Sequence, residues 1–112
     1  MEPFEVYAAN QLKARPLGEP GVCMNPGCSQ VFAPSRDWQS FCSAACRRIG
    51  EIEFRKIGVK AAPGLLAWTM GKHETREMAL RELAKAGRRH VSAIGASWLR
   101  DRRLRAGAAR DR

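Results

Sequence analysis

The chain has 112 residues, which is enough for one small domain or a small domain with an appendage. No stretch approaches the roughly 18 consecutive apolar residues of a membrane-spanning helix, so the sequence argues against an integral membrane protein. The net charge is +9, and it divides into −1 over residues 1–22, +3 over 23–84 and +7 over 85–112. Fifteen of the twenty basic residues are Arg. Charge concentrated at one end predicts contact with nucleic-acid phosphates, with a merely solvated Arg-rich end as the alternative.

Residues 1–21 are predicted to be an irregular N-terminal arm, with a short extended piece at Phe4–Tyr7. The first residues lack the basic stretch and apolar run of a signal peptide, so we expect a cytoplasmic protein. The residues that favour an irregular arm are Pro3, Pro16, Gly18, Pro20 and Gly21.

Four cysteines follow in two pairs, Cys23 and Cys28, then Cys42 and Cys46. This spacing is typical of a tetrahedral four-cysteine zinc site, in which each pair comes from one local turn. Disulfides are the alternative, but they need an oxidising compartment. Four protein ligands leave no open position for water, so the predicted role of one Zn²⁺ is structural. The surrounding residues are too few to fold by apolar burial alone.

The segments between the cysteines predict their own local structures. Residues 23–28 contain Pro26 and Gly27 and are predicted to form a tight knuckle. Residues 29–41 are predicted to form a β-hairpin that begins at Val31 and returns at 39–41. A helix is predicted to begin at Cys42, because a three-residue gap places Cys42 and Cys46 on one helix face.

This segment resembles the small four-cysteine treble-clef zinc fingers of bacterial and bacteriophage proteins. It is similar, more distantly, to the small zinc proteins that bind and inhibit DNA gyrase. The resemblance covers about residues 22–50 and implies a zinc-binding treble clef at 22–60, but no particular activity. The residues that carry it are Cys23, Asn25, Pro26, Cys28, Phe32, Pro34, Arg36, Trp38, Gln39, Phe41, Cys42, Ser43, Cys46 and Arg47.

The first helix is predicted to end near Val59, with Ile49 and Ile52 on its buried side. The sequence at 60–64 contains Pro63 and Gly64 and predicts a break, after which residues 65–105 form a helical segment. Within 65–72 the apolar residues Leu65, Leu66, Trp68 and Met70 are expected in the core.

Two further helices are predicted at 74–86 and about 90–104, with Gly87 as the C-terminal cap of the first. Gly95 could permit the close approach of another element. Residues 106–112 are predicted to be a disordered basic tail. The predicted fold class is therefore α+β: a treble-clef finger of knuckle, β-hairpin and helix, followed by a helical C-terminal segment.

Several Arg residues and one Trp are candidate nucleic-acid contacts. Arg36 and Trp38 could bind a phosphate and stack on a base, or they could cover the metal site. The two C-terminal helices could form a helix-turn-helix, although any helical hairpin with a Gly turn has the same pattern. The full set of candidates is Arg36, Trp38, Arg47, Arg48, Arg88, Arg89, Arg100, Arg102, Arg103 and Arg105.

His73 and His90 do not lie at ligand spacing from the cysteines and are interpreted as ordinary exposed histidines. No paired carboxylates, nucleophile motif or phosphate-binding Gly loop is present, so the sequence does not favour an enzyme. It predicts a zinc-containing nucleic-acid-binding accessory or regulatory protein, with DNA ahead of RNA and neither a membrane nor a small-molecule substrate as partner. The alternative is a protein-interaction module that binds or inhibits a nucleic-acid-processing enzyme, with Trp68 and Trp98 as exposed anchors.

Overall fold

The structure is a computed structural model that describes residues 11–112. Two long helices contain most of these residues, α1 (Ala44–Gly71) and α2 (Met78–Arg110). The chain divides into two compact units, one with the residues up to Glu51 together with Asp101–Arg112, the other Ile52–Arg100. Neither helix has an apolar stretch long enough to cross a membrane. The extended piece predicted at Phe4–Tyr7 lies outside the described residues.

The predicted α+β fold class is wrong. Residues 11–112 contain no β-strand and no sheet, and their β-pairing is one isolated antiparallel bridge between Val22 and Val31. The described part of the protein is therefore mostly helical, and the predicted hairpin at 29–41 does not form.

The hairpin is absent because both of its predicted strands bond elsewhere. Residues around Val31 and residues around Ser40 each exchange backbone hydrogen bonds with the segment 21–24 instead of with each other. Three bonds define this arrangement: Cys23 N to Gln30 O (2.8 Å), Phe32 N to Gly21 O (2.9 Å) and Met24 N to Ser40 O (2.8 Å). Gly21 has a φ of +76°, which a glycine adopts without strain.

Helix α1 begins where the sequence supplies a cap. The Oγ of Ser43 accepts a hydrogen bond from the Cys46 N–H (3.2 Å), and the Ser43 carbonyl accepts the first helical bond, from Arg47 (3.0 Å). The helix then continues through Pro63 to Gly71, so the break predicted at 60–64 is wrong. The low helix propensities of Pro63 and Gly64 do not end the helix, because packing in the second unit favours a helix at this point.

That packing depends on glycines. A Cβ added to Gly87 would lie 2.3 Å from the Gly64 carbonyl oxygen, and one added to Gly71 would lie 2.3 Å from the Leu80 carbonyl oxygen. The two helices therefore approach each other closely at residues that have no side chain. Gly87 does not cap a helix as predicted but lies inside α2, and a helix-turn-helix over 74–105 is excluded because α2 has no turn there.

A carboxylate shapes the turn that leads into helix α2. The Oε1 of Glu74 accepts hydrogen bonds from the N–H groups of Thr75 (3.0 Å), Arg76 (2.9 Å) and Glu77 (3.3 Å). The Arg76 N–H, followed by the Glu77 N–H, lowers the pKa of the Glu74 carboxyl. The carboxylate therefore holds the turn before α2, whose first helical bond runs from the Arg81 N–H to the Glu77 carbonyl (3.1 Å).

The predicted core positions of α1 are largely exposed. Leu65, Leu66 and Met70 face solvent, as do Ile49 and Ile52. In the second unit the packed face of α1 includes Phe54, which the helical spacing also places on the inner side, and its ring meets the ring of Trp98 edge-on at 5.5 Å. The spacing of apolar residues did not reveal the rest of this packed face, because the helices approach most closely at glycines, which have no apolar side chain.

The C-terminal end of α2 is part of the first unit. Ala106 is 1% exposed, and it forms a small buried cluster with Val22 and Ala109. The structure therefore has a helix to Arg110 where the sequence predicted a disordered tail. Gly95, predicted to allow close approach, has no neighbour within 4 Å of its would-be Cβ.

Candidate metal centre and basic surface

The four cysteines lie together in the first unit. The Sγ atoms of Cys23, Cys28, Cys42 and Cys46 are all within 4.8 Å of one another. Two pairs, Cys28–Cys42 and Cys42–Cys46, have Sγ–Sγ distances of 3.7 Å. A tetrahedral ion bonded to four sulfurs at about 2.3 Å has sulfur–sulfur edges of about 3.8 Å, which these two pairs match, so the four cysteines are close enough to bind one such ion. The four thiols are not disulfide-bonded.

The backbone positions each pair separately. The carbonyl of Asn25 accepts hydrogen bonds from the N–H groups of Cys28 (3.0 Å) and Ser29 (2.9 Å), which closes the loop between the first two cysteines. The second pair uses the start of α1: Cys42 precedes the helix and Cys46 lies in its first turn. The predicted knuckle and helix start therefore place the thiols correctly, although the hairpin between them is missing.

Each cysteine pair also supplies a hydrogen-bond donor to a sulfur of the other pair. The Nδ2 of Asn25 donates to Cys46 Sγ (3.4 Å), and the backbone N–H of Cys42 donates to Cys23 Sγ (3.4 Å). The hydrogen bond from Asn25, followed by one from Ser43, lowers the pKa of Cys46 to about 7. Such donors stabilise a thiolate and orient it toward an ion.

Burial raises the pKa of two other thiols, those of Cys23 and Cys42. Cys23 is 2% exposed, and its burial raises its pKa to about 12. Burial also raises the pKa of Cys42. In the metal-free protein these two groups are therefore thiols at neutral pH, and a bound cation would have to displace their protons.

Arginines near the C-terminus hold the first cysteine loop. Arg102 is 7% exposed; its Nε donates to the Met24 carbonyl (2.8 Å), and its Nη1 pairs with Asp101. Arg105 donates to the Pro26 carbonyl (3.3 Å) and also pairs with Asp101 (3.0 Å). These two residues were predicted as nucleic-acid contacts. The buried Arg102 does not present its guanidinium to a phosphate, and no sequence signal connects it with a loop 78 residues earlier.

Arg36 and Trp38 lie together on the surface of the first unit. The guanidinium of Arg36 and the ammonium of Lys13 each lie 5.7 Å from the centroid of the Trp38 ring. Trp38 is 40% exposed. Cations already occupy the neighbourhood of this ring, which makes it a poor platform for a stacked base.

The remaining predicted cations differ in their neighbours. Arg47 and Arg103 are exposed and each lie near a carboxylate, Glu51 at 3.8 Å and the half-buried Glu19 at 3.7 Å. The other four are exposed and form no ion pair with any described residue; they are Arg48, Arg88, Arg89 and Arg100. Of the ten candidates, Arg88, Arg89 and Arg100 belong to the second unit, and the other seven belong to the first.

His90 has a structural contact. Its Nε2 donates to the Lys60 carbonyl (2.8 Å) inside the second unit, so the ring is exposed but bonded to α1. His73 does not belong to the group that could hold a metal among the described residues.

Comparison with known proteins adds nothing to this geometry: no family model, curated protein or solved structure matches the chain. Membership of the treble-clef families accordingly stays a prediction from the motif.

Proposed function

We propose that the protein holds one structural Zn²⁺ through Cys23, Cys28, Cys42 and Cys46, and that it binds nucleic acid without catalysing a reaction. Four thiolates suit Zn²⁺, whose preferred tetrahedral geometry matches the sulfur spacing. All four ligands come from the protein, so the ion would support the fold rather than activate water.

The nucleic-acid part of the proposal is supported by unpaired positive charge. The chain carries +9, and Arg48, Arg88, Arg89 and Arg100 are exposed and unpaired among the described residues. Exposed guanidinium groups bind phosphate by displacing condensed counterions, which requires no particular base sequence. This excess of unneutralised Arg is the observation on which the proposal rests.

A salt titration tests it. Zinc-loaded protein is mixed with labelled DNA and RNA, and binding is followed by fluorescence anisotropy between about 50 and 300 mM salt. We expect binding at the lowest salt and a logarithmic affinity that falls linearly with the logarithm of the salt concentration. Absence of binding at low salt, or binding that is insensitive to salt, contradicts the proposal. Metal analysis of the purified protein checks the zinc in parallel, with one ion per chain expected.

A second candidate function is favoured by the outer side of α1. Ile52, Val59 and Leu66 recur every seven residues on this side, and Val59 is 76% and Leu66 64% exposed. Apolar side chains in line on an exposed helix are typical of a protein-binding surface. Trp98, predicted as an exposed anchor for such a partner, is instead half-buried against Phe54.

The two candidates give different results in a pull-down from a nuclease-treated lysate. Protein partners that survive the nuclease support the interaction module. Partners that are lost with the nuclease support nucleic-acid binding.

A further inference from the structure

The outer side of α2 carries positive charge that nothing in the described chain neutralises. Between Met78 and Arg100 there are five cations and one carboxylate, Glu82. That carboxylate is already paired, with Lys85 at 3.3 Å. Arg88, Arg89 and Arg100 are exposed and lack an ion pair within residues 11–112.

The spacing of these cations follows from the continuous helix. Arg89 and Arg100 are eleven residues apart, which is about three turns, so they project from nearly the same side of α2 at a separation of about 16 Å. The outward residues between them are small and exposed: Ser92, Ala93, Ala96 and Ser97. Because these side chains project little from the helix, another molecule can approach the backbone of α2 closely between the two cations.

The same surface lacks what a single-stranded ligand needs. Proteins that bind single strands combine positive charge with aromatic rings on which bases stack. Apart from His90, whose ring bonds to Lys60, the aromatic residue between Met78 and Arg100 is Trp98. Its ring packs against Phe54. No aromatic ring is therefore available on this side of α2 for stacking.

We infer that, if the proposed nucleic-acid function holds, the ligand of this surface is double-stranded DNA. In this arrangement α2 lies across the major groove, with Arg89 and its neighbour Arg88 on the phosphates of one strand and Arg100 on those of the other. The major groove of B-form DNA is about 12 Å wide, a width that two guanidinium groups about 16 Å apart can span. The major groove of RNA duplexes is too narrow and deep for this contact. Ser92 and Ser97 are the exposed serines between the cations, and their short hydroxyls can contact few base edges, so binding is largely independent of sequence.

The test compares three ligands with the full-length, zinc-loaded protein: a DNA duplex of about 20 base pairs, its single strand and the matching RNA duplex, each over a range of salt. We expect the DNA duplex to bind most tightly. Arg100→Ala should reduce the salt slope on duplex DNA by about 0.9, the value for one lost phosphate contact. Arg55→Ala, which removes an equally exposed and unpaired charge from α1, is the matched control and should leave the slope nearly unchanged.

A charge-conserving variant tests the spacing itself. Combining Arg89→Ala with Ala93→Arg keeps the net charge but brings the two cations to seven residues, or about 10 Å, apart. We expect it to lose duplex affinity as Arg89→Ala alone does. Unchanged duplex binding by this variant, or equal binding of single-stranded DNA or duplex RNA by the natural chain, overturns the inference while leaving nucleic-acid binding intact. Failure to bind any of the three ligands at low salt overturns the proposed function itself.

Discussion

Asn25 connects the two cysteine pairs through a single side chain. Its Oδ1 accepts a hydrogen bond from the Gly27 N–H (3.0 Å) within the first loop, and its Nδ2 donates to Cys46 Sγ in α1 (3.4 Å). The residue is buried, so water cannot replace either bond at no cost. The amide therefore shapes the loop and supports a sulfur ligand from the opposite pair.

We predict that Asn25→Ala weakens metal binding by about 10- to 100-fold, the usual effect of removing a hydrogen bond to a ligand. Competition with a chromogenic chelator measures the affinity. Asn25→Asp is the informative comparison, because it keeps the acceptor for Gly27 but replaces the donor to Cys46 with a carboxylate. Its affinity should be at least as low; natural affinity in Asn25→Asp would show that only the loop shape matters.

Arg102 combines burial with a full charge. Its guanidinium is 7% exposed and bonds both the Met24 carbonyl (2.8 Å) and Asp101. Removing one partner from such a group leaves buried polar atoms unsatisfied. The contribution of Arg102 is therefore structural, although its residue type suggested a phosphate contact.

We predict that Arg102→Ala lowers the free energy of unfolding of the zinc-loaded protein by about 2–4 kcal/mol, because the Met24 carbonyl loses a charged donor. Urea denaturation measures the change. Arg103→Ala is the control, since Arg103 is exposed and its pair with Glu19 is long (3.7 Å); it should cost less than about 1 kcal/mol. Equal effects of the two substitutions would contradict the structural role of Arg102.

At the scale of the helices, glycine in α2 has two different environments. Gly87 lies against α1, where an added Cβ would meet the Gly64 carbonyl oxygen at 2.3 Å and the Trp68 nitrogen at 2.9 Å. Gly95, two turns further along the same helix, has no neighbour within 4 Å. The same substitution therefore has opposite expected effects at the two positions.

Gly95→Ala should raise the free energy of unfolding by up to about 1 kcal/mol, which is the difference in helix propensity between the two residues. Gly87→Ala should lower it by about 1–3 kcal/mol despite the same propensity gain, because backbone atoms cannot move aside as a flexible side chain can. Thermal or urea unfolding of both variants measures this. A stabilising Gly87→Ala would contradict the close contact of the helices in the second unit.

The sequence predicted the grouping of the four cysteines better than the helices, for a physical reason. Cysteine spacing is a local property, and the turn of Pro26 and Gly27 and the helix start after Cys42 place the thiols within reach of one ion. The length of α1 depends on tertiary packing, since Pro63 and Gly64 oppose a helix by propensity and the contact with Gly87 favours it. Likewise the predicted hairpin failed because its edges bond to residues 21–24, a pairing that the local pattern does not contain.

On the scale of the whole molecule, the first unit has little apolar interior. Among its described residues, the buried apolar side chains are few: Val22, Cys23, Met24, Phe41, Ala106 and Ala109. Small domains of this kind depend on a metal for much of their folding free energy. The C-terminal turns of α2 share this dependence, because they are hydrogen-bonded to the same unit. The donors are Arg102, Arg105 and Arg110, and the acceptors are the carbonyls of Met24, Pro26 and Pro20, respectively.

Removing the metal should therefore affect two distant stretches of sequence together. With excess chelator we expect amide hydrogen exchange to accelerate in residues 22–50 and also in 101–110, because the latter bond to the loop that the ion holds. Mass spectrometry of peptic fragments measures both regions. Loss of protection in 22–50 alone would show that the C-terminal turns fold without the loop.

Acid should oppose metal binding, because burial keeps two of the thiols protonated and the metal must displace their protons. With the pKa of Cys23 at about 12 and that of Cys42 raised, both groups carry protons in the metal-free protein at pH 7 and must lose them to become ligands. Cys46, whose pKa is about 7, contributes a further fraction of a proton. Binding then releases at least two protons, so the apparent affinity should fall at least 100-fold for each unit by which the pH drops near pH 7. Calorimetry in buffers of different ionisation enthalpy counts the protons, and release of fewer than two would mean that the thiols are already ionised before the ion arrives.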